Sequence, residues 1–544
     1  MKRLLPFFLF QSLLVTSYAQ PVQEAKKNIY YHRYASAESI LHGYLGQQPL
    51  DAEAWLLLTK TYLLENKIQK AGDSLLFAPA SLSSEPFFLI AKGTISLVNN
   101  RPDSSRWYFD KAIDISRDPA VPAAVADMET LSQNGDMNYA LDLVHRAMKK
   151  DKRNNSLYVL QGNIYRKMHN GSEAFKSYST AIEKDPGLAE AYYYLGDIFL
   201  SQKNADLYLS HFNKAIEADK NFGPAYYELY NYHVYTKPDA EKAMRYFQQY
   251  AALSDKTTQH DYSYADLLYL NKNYTEAIAS ARQLVSKEGH NVQPRIYKLI
   301  AYSYAESGDT LDAVDYMGQY FRFGQDSNFI AKDFETMAQL YSAADNADSA
   351  IAYYQKAAKA SNDSTLLYQY YKHLASLSGK KKDYMAQAKW LGQYYSTNGQ
   401  ASNVDLFNWG IAAYRSENYL LADSVFGLYT MKYPNQGFGY YWRARTNAVI
   451  DSGMTAGLAI PHYNKLIEVV GTDSLSETDK KWVVEAYGYL ATYEANTLKD
   501  YEKAIEYFDK ILQIDPENVN AKKFIPILEA SAKRKEGSNK EGSN

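Results

Sequence analysis

The sequence predicts an all-α solenoid of antiparallel helical hairpins. Three observations carry this: a recurring phrase, a spacing of 34 residues, and small and aromatic residues at fixed offsets within each unit. The phrase "SEAFKSYSTAIEKDP", Ser172 to Pro186, returns as "YEKAIEYFDKILQIDP", Tyr501 to Pro516. Counting back from Pro186 gives Tyr158, Gly162, Tyr165, Ala174, Tyr178 and Ala181. These lie on two apolar stretches of helical spacing separated by "HNGS", where Asn170 and Gly171 read as the turn. One period later stand Tyr192, Leu195, Gly196, Phe199, Phe212 and Ala215; far upstream the same offsets hold Trp55, Leu58, Tyr62, Ala71, Leu75 and Ala78. A chain of 544 residues exceeds what one hydrophobic core serves, and a repeat array accommodates that length.

Each mark has a packing reason. Gly93, Gly162, Gly196, Ala301, Ala338 and Gly410 sit where a first helix meets its second, so bulk there would overpack the pair. Ala174, Ala313, Ala350, Ala422 and Ala504 play the same part on second helices, and Tyr178, Phe212, Phe247, Tyr354, Phe426 and Phe508 fill the space between units. Each unit buries its apolar face only against its neighbours. The 52 tyrosines are in the main packing residues, since Tyr offers a large apolar body with a polar tip.

In chain order, Lys2 and Arg3 precede an apolar run from Leu4 to Val15, and Ser17-Tyr18-Ala19 supplies small residues for cleavage before Gln20. Residues 1–19 therefore read as a signal peptide, and the run is too short for a spanning helix. Units begin near residues 18, 52, 86, 121, 155, 189, 223, 258, 294, 331, 365, 403, 437 and 485, about fourteen repeats within 20–532. The polar runs 286–293 and 396–403 read as joints. Surface loops are expected at "GKKK", Gly379 to Lys382, and at "DSGMTAG", Asp451 to Gly457. The tail 533–544 has nothing to bury and is expected to be disordered.

The marks resemble those of the tetratricopeptide repeat family, with large, small, aromatic, Ala, aromatic, Ala and Pro in that order. The resemblance implies a right-handed solenoid whose first helices line a concave groove that binds proteins. On that register Asn163, Arg166 and Lys167, then Tyr193 and Asp197, then Tyr227, Asn231 and Tyr235 face the groove, an interleaving of aromatic and hydrogen-bonding groups that suits an extended peptide. Earlier units offer Leu56, Phe87, Ile90, Leu97 and Val98, suited to a helix or an apolar tail. The family also has a chaperone-binding form that clamps a C-terminal carboxylate with Lys and Asn. Here Val159 stands where that lysine would precede Asn163, and Tyr194 where the next asparagine would stand. Arg295 and Lys298 offer positive charge, but Tyr302 replaces the asparagine there too. Asp73, Asp309, Asp348, Asp363, Asp423 and Asp473, each followed by Ser or Thr, are similar to the glycosylation sequon of exported Bacteroidetes proteins and equally fit helix caps.

A net charge of −3, with no basic stripe outside the last dozen residues, gives no footprint for nucleic acid. The absence of cysteine excludes disulfides, thiol catalysis, cysteine-based zinc sites and a lipoprotein anchor. Ten scattered histidines form no HExxH, and no P-loop, GxGxxG or GxSxG appears, so no catalytic, cofactor or metal site is expected. The reading is a non-catalytic protein-binding scaffold in the periplasm of a Gram-negative bacterium. The alternatives are a structural subunit of an envelope or secretion complex and, from a different class, an enzyme whose site is assembled across repeats.

Overall fold

The computed structural model describes residues 20–399 and 401–541. The signal-peptide reading of 1–19 lies outside them, as do Gln400 in the second polar run and 542–544 in the tail. The described residues form helices and turns without a strand, and they divide into two compact units between Val292 and Gln293, inside the first polar run.

The N-terminal unit holds eight hairpins: 20–30 with Tyr34–Gln47, Ala52–Leu64 with a short Ile68–Ser74, Pro86–Val98 with Pro102–Asp114, Ala120–Leu131 with Met137–Lys150, Ser156–Lys167 with Gly171–Lys184, Ala189–Ser201 with Ala205–Ala218, Gly223–Asn231 with Ala240–Leu253, and Thr258–Leu270 with Tyr274–Glu288. The C-terminal unit holds six: Arg295–Glu306 with Thr310–Phe323, Ala331–Ala343 with Ala347–Ala360, Ser364–Lys380 with Tyr384–Thr397, Asn403–Arg415 with Tyr419–Lys432, Gly437–Ile450 with Ile460–Val470, and Glu477–Tyr493 with Tyr501–Ile514. A single helix, Val519–Glu541, follows.

The small-residue marks do what their size suggests. A Cβ placed on Gly162 would lie 2.4 Å from the Tyr178 ring; on Gly196, 2.4 Å from Phe212; on Gly410, 2.5 Å from Phe426. Each second-helix aromatic thus occupies the space left bare by the glycine of its own first helix. The turn between paired helices also recurs. His169 takes the left-handed conformation at φ +57°, Asn170 N–H donates back to Tyr165 O at 2.9 Å, and the Asn170 side chain accepts from Glu173 N–H. The turn therefore sits one residue before Asn170-Gly171, and Gly171 opens the second helix. Asn66, Asn100 and Lys203 take the same conformation at corresponding turns.

Three expectations differ from the fold. The added residues at "GKKK" lengthen a helix instead of a loop: Ser364–Lys380 runs 17 residues, and only Lys381 and Lys382 lie in the turn. Four residues make about one helical turn, so the inward face keeps its phase. The last hairpin begins at Glu477 instead of 485. The final helix runs on to Glu541, and within it Lys535 Nζ donates to Lys499 O at 2.8 Å. Leu56, Ile90 and Leu97 are buried in a core with Val121, Val125 and Met128, because the first helices of the second, third and fourth hairpins pack on one another and consume the apolar surface assigned to a groove. The "DSGMTAG" loop is a loop, organised by Asp451, whose carboxylate accepts from the backbone N–H groups of Thr455, Ala456, Gly457 and Leu458. Burial alone would raise its pKa, but these donors hold it below the usual carboxylate range.

Candidate functional site on the inner face of the N-terminal unit

The first helices of the N-terminal unit carry charges that face one another across its inside. Lys60 on the second hairpin reaches Asp127 on the fourth at 2.5 Å. Burial works against its charge, yet the Asp127 carboxylate more than offsets this and holds the ammonium above its usual range. Burial raises the Glu190 carboxyl, with Lys60 and a hydrogen bond from Tyr194 opposing. These groups stand on the second, fourth and sixth hairpins, about two periods apart from one to the next, although no repeat mark specifies them.

Asn163, Arg166, Tyr193 and Asp197 form one group. Asn163 Oδ1 accepts from Tyr178 Oη at 2.6 Å, which ties the inner face to the packing layer. The Arg166 guanidinium pairs with Asp197 at 2.7 Å and lies over the Tyr194 ring at 4.6 Å. Burial nonetheless pushes the Asp197 carboxyl up, because its desolvation outweighs the help from Arg166. Lys167 stays exposed at the helix end. Tyr193 is half-buried, its ring against Tyr194, Phe212, Phe222 and His32. On the next hairpin, Glu228 is pushed up to about 7 by burial and by the nearby Asp197, with a Tyr193 hydrogen bond opposing.

His32 comes from the turn of the first hairpin, which sequence reasoning did not place here. That turn reads Tyr30-Tyr31-His32-Arg33-Tyr34, where the second and third hairpins read Glu65-Asn66-Lys67 and Asn99-Asn100-Arg101. An aromatic run at a turn was the available signal. Tyr30 packs edge-on against Phe222, Tyr31 Oη donates to Asp219 at 2.7 Å, and Arg33 Nε donates to Leu253 O at 2.6 Å. Asp255 accepts from Ala35 N–H at 2.8 Å and from the Ser36 hydroxyl. Burial keeps His32 neutral, with its pKa lowered to about 4.

Tyr227, Asn231 and Tyr235 lie together on a cavity of about 400 Å³ bounded by the seventh and eighth hairpins and by this turn. His32, Tyr34, Tyr230, Phe247, Tyr250 and His260 complete its aromatic lining, and Asp255 and Glu65 also line it. The Tyr227 ring lies tilted against Tyr250, centroids 4.9 Å apart, and remains 40% exposed, while Tyr235 is 77% exposed. The reason is local: the helix Gly223–Asn231 ends in a wide π turn, Tyr232–Thr236, which throws Tyr235 outward to the rim.

In the C-terminal unit inner charges satisfy each other. Lys298 is paired at 2.7 Å with Asp333, a fully buried carboxylate, so it is engaged within the chain instead of being displayed to an acidic partner. Arg445 pairs with Glu485 at 3.3 Å, and the Tyr441 and Tyr463 hydroxyls donate to the same carboxylate. Several sequon aspartates have structural employment: Asp309 and Asp363 cap helices, and Asp423 binds Arg443 and Asn447. Among the described residues no cluster of three or more His, Asp or Glu side chains is placed to hold a metal ion, and no helix is long and apolar enough to cross a membrane.

Fold and inner face define an all-helical repeat solenoid. Models of the tetratricopeptide repeat match residues 335–364 and 485–518, and a TPR repeat model matches 162–203. The C-terminal part of a TPR repeat-containing protein from Cytophaga hutchinsonii is 30% identical over 48% of this chain and 97% of its own, with a TM-score of 0.30. A tetratricopeptide repeat protein from Parabacteroides merdae is 16% identical over 52% and 96%, TM-score 0.21. The TPR2AB domain of yeast Sti1, solved in complex with pHSP90, is 18% identical over 51% and 98%, TM-score 0.27. No curated protein matches the chain. The protein belongs to the tetratricopeptide repeat family, whose repeats build protein-interaction scaffolds, and no catalytic family is indicated.

Proposed function

We propose that this protein is a non-catalytic adaptor in the periplasm of a Gram-negative bacterium, and that it holds an extended segment of a partner protein at the cavity beside the seventh hairpin. The observation that carries this is the exposure of Tyr227 and Tyr235 on one cavity with Asn231, at positions where the packing pattern asks for no such residue types. Exposed aromatic faces beside amide and hydroxyl groups suit a peptide, which needs apolar contact and backbone hydrogen bonds together. Asn163, Arg166, Lys167, Tyr193 and Asp197 extend the same inner face toward the fifth hairpin. Export rests on the signal-like residues 1–19, so the native protein should begin at Gln20 by N-terminal sequencing.

The test is a photo-crosslinking side chain at Tyr235 in living cells, with a control at Leu311, which is 78% exposed on the C-terminal unit. Cross-links to a discrete partner at Tyr235, absent at Leu311 and lost when Tyr227→Ala is added, support the adaptor. Equal capture at both positions within one large complex supports a structural subunit of an envelope assembly instead.

A further inference from the structure

We infer that the first hairpin is a latch, whose turn, Tyr31 to Ser36, closes the inner face of the N-terminal unit by seating on the ends of the sixth and seventh hairpins. Beside the ring packing of Tyr30 and His32 on Phe222 and Tyr193, polar contacts join residues about 190 to 220 positions apart: Tyr31 to Asp219, Arg33 to Leu253 O, and Ala35 and Ser36 to Asp255. They pair helix ends reciprocally. The helix Tyr34–Gln47 has no side-chain cap of its own, and distant Asp255 supplies a carboxylate to its N-terminal N–H groups. The helix Ala240–Leu253 in turn offers its last carbonyl to the Arg33 guanidinium. Each charge sits at the helix end whose dipole favours it.

Two features make this a latch instead of a further layer of core. The first hairpin has an apolar core independent of the seat, because Val22, Ala25, Leu41 and Leu45 pack with Ala54, Trp55 and Leu58 of the second hairpin. Releasing the turn leaves that core buried and uncovers Tyr30, Tyr31, His32, Tyr193 and the fully buried Phe222 where their rings pack together. The turn is also a wall of the cavity, since His32, Tyr34 and Ala35 line it beside Tyr227 and Tyr235. Opening therefore joins the cavity to the Tyr193 and Asp197 surface, and closing separates them. The inference rests on contacts within the chain and stands apart from the identity, or existence, of a peptide partner.

Hydrogen exchange on the full chain tests it, with Arg33→Ala and Asp255→Asn against the parent. Exchange should rise about tenfold at residues 34–38 and 190–197 while 140–147 keeps its protection, the signature of local opening. A uniform rise across 20–292 would make the contacts an ordinary part of global stability, and no change at 34–38 would mean that they do not hold the turn; either overturns the latch. The chain has no native cysteine, so the pair Ser36→Cys with Asp255→Cys gives an unambiguous second reading. Its disulfide should form in the monomer and slow exchange at 190–197 below the parent. Failure to form, or formation without slowing, contradicts the closed seat.

Discussion

Gly196 and Tyr193 lie three residues apart on one helix, yet they answer to different neighbours. Gly196 meets Phe212 of its own hairpin, a contact reproduced at Gly93, Gly162 and Gly410 with their own aromatic partners. Tyr193 meets His32 from five hairpins away and Glu228 from the next, and the pattern does not repeat. One side of the helix is thus a frame held by short-range, periodic packing; the other is a surface assembled only once the hairpins have stacked. Stability should reside in the first; on the second, specificity should reside in the residues left open, such as Tyr227, while Tyr193 is packed against the turn of the first hairpin.

The largest effect expected from that division is in the frame. Phe212→Ala removes a fully buried ring and should cost about 3–5 kcal/mol, read from denaturant unfolding. Gly162→Leu should cost about 1–3 kcal/mol, because the Tyr178 ring already occupies the place of the new side chain. If either unfolds like the parent, the frame has been placed on the wrong face.

Those frame contacts were legible in the sequence because they recur. A Gly paired with an aromatic sixteen residues later at Gly162, Gly196 and Gly410 announces itself by repetition, and most first-helix starts follow within two residues. The inner face was legible only in register. Periodicity placed Tyr227, Asn231 and Tyr235 on the first helix, but not the Tyr31–Ser36 turn opposite them, since that depends on how small rotations between hairpins accumulate. The early apolar positions Leu56 and Ile90 misled for the same reason: tight stacking of the second to fourth hairpins turned a nominal groove into core.

A smaller effect probes the electrostatics of the inner face. Glu228 rises from an ordinary 4.5 to about 7, so above pH 7 the folded state holds a charge that it disfavours. As pH falls through 7 toward 4.5 the folded state takes up a proton before the unfolded state does, and that cost disappears. Glu228→Gln should therefore be more stable than the parent by about 1–2 kcal/mol at pH 8, after allowance for solvent screening, with the gap closing by pH 5. A gap independent of pH would mean that burial does not tune this carboxyl.

The most direct test compares Tyr227→Ala with Tyr193→Ala, measuring for each the affinity for the partner captured at Tyr235 and the midpoint of thermal unfolding. Tyr227 is open on the cavity, so its loss should weaken binding about tenfold, roughly 1–2 kcal/mol, and leave the midpoint nearly unchanged. Tyr193 is packed under the latch, so its loss should lower the midpoint first. If Tyr227→Ala lowers the midpoint as far as Tyr193→Ala does and binds the partner as tightly as the parent, the cavity is packing and the division between frame and recognition surface fails.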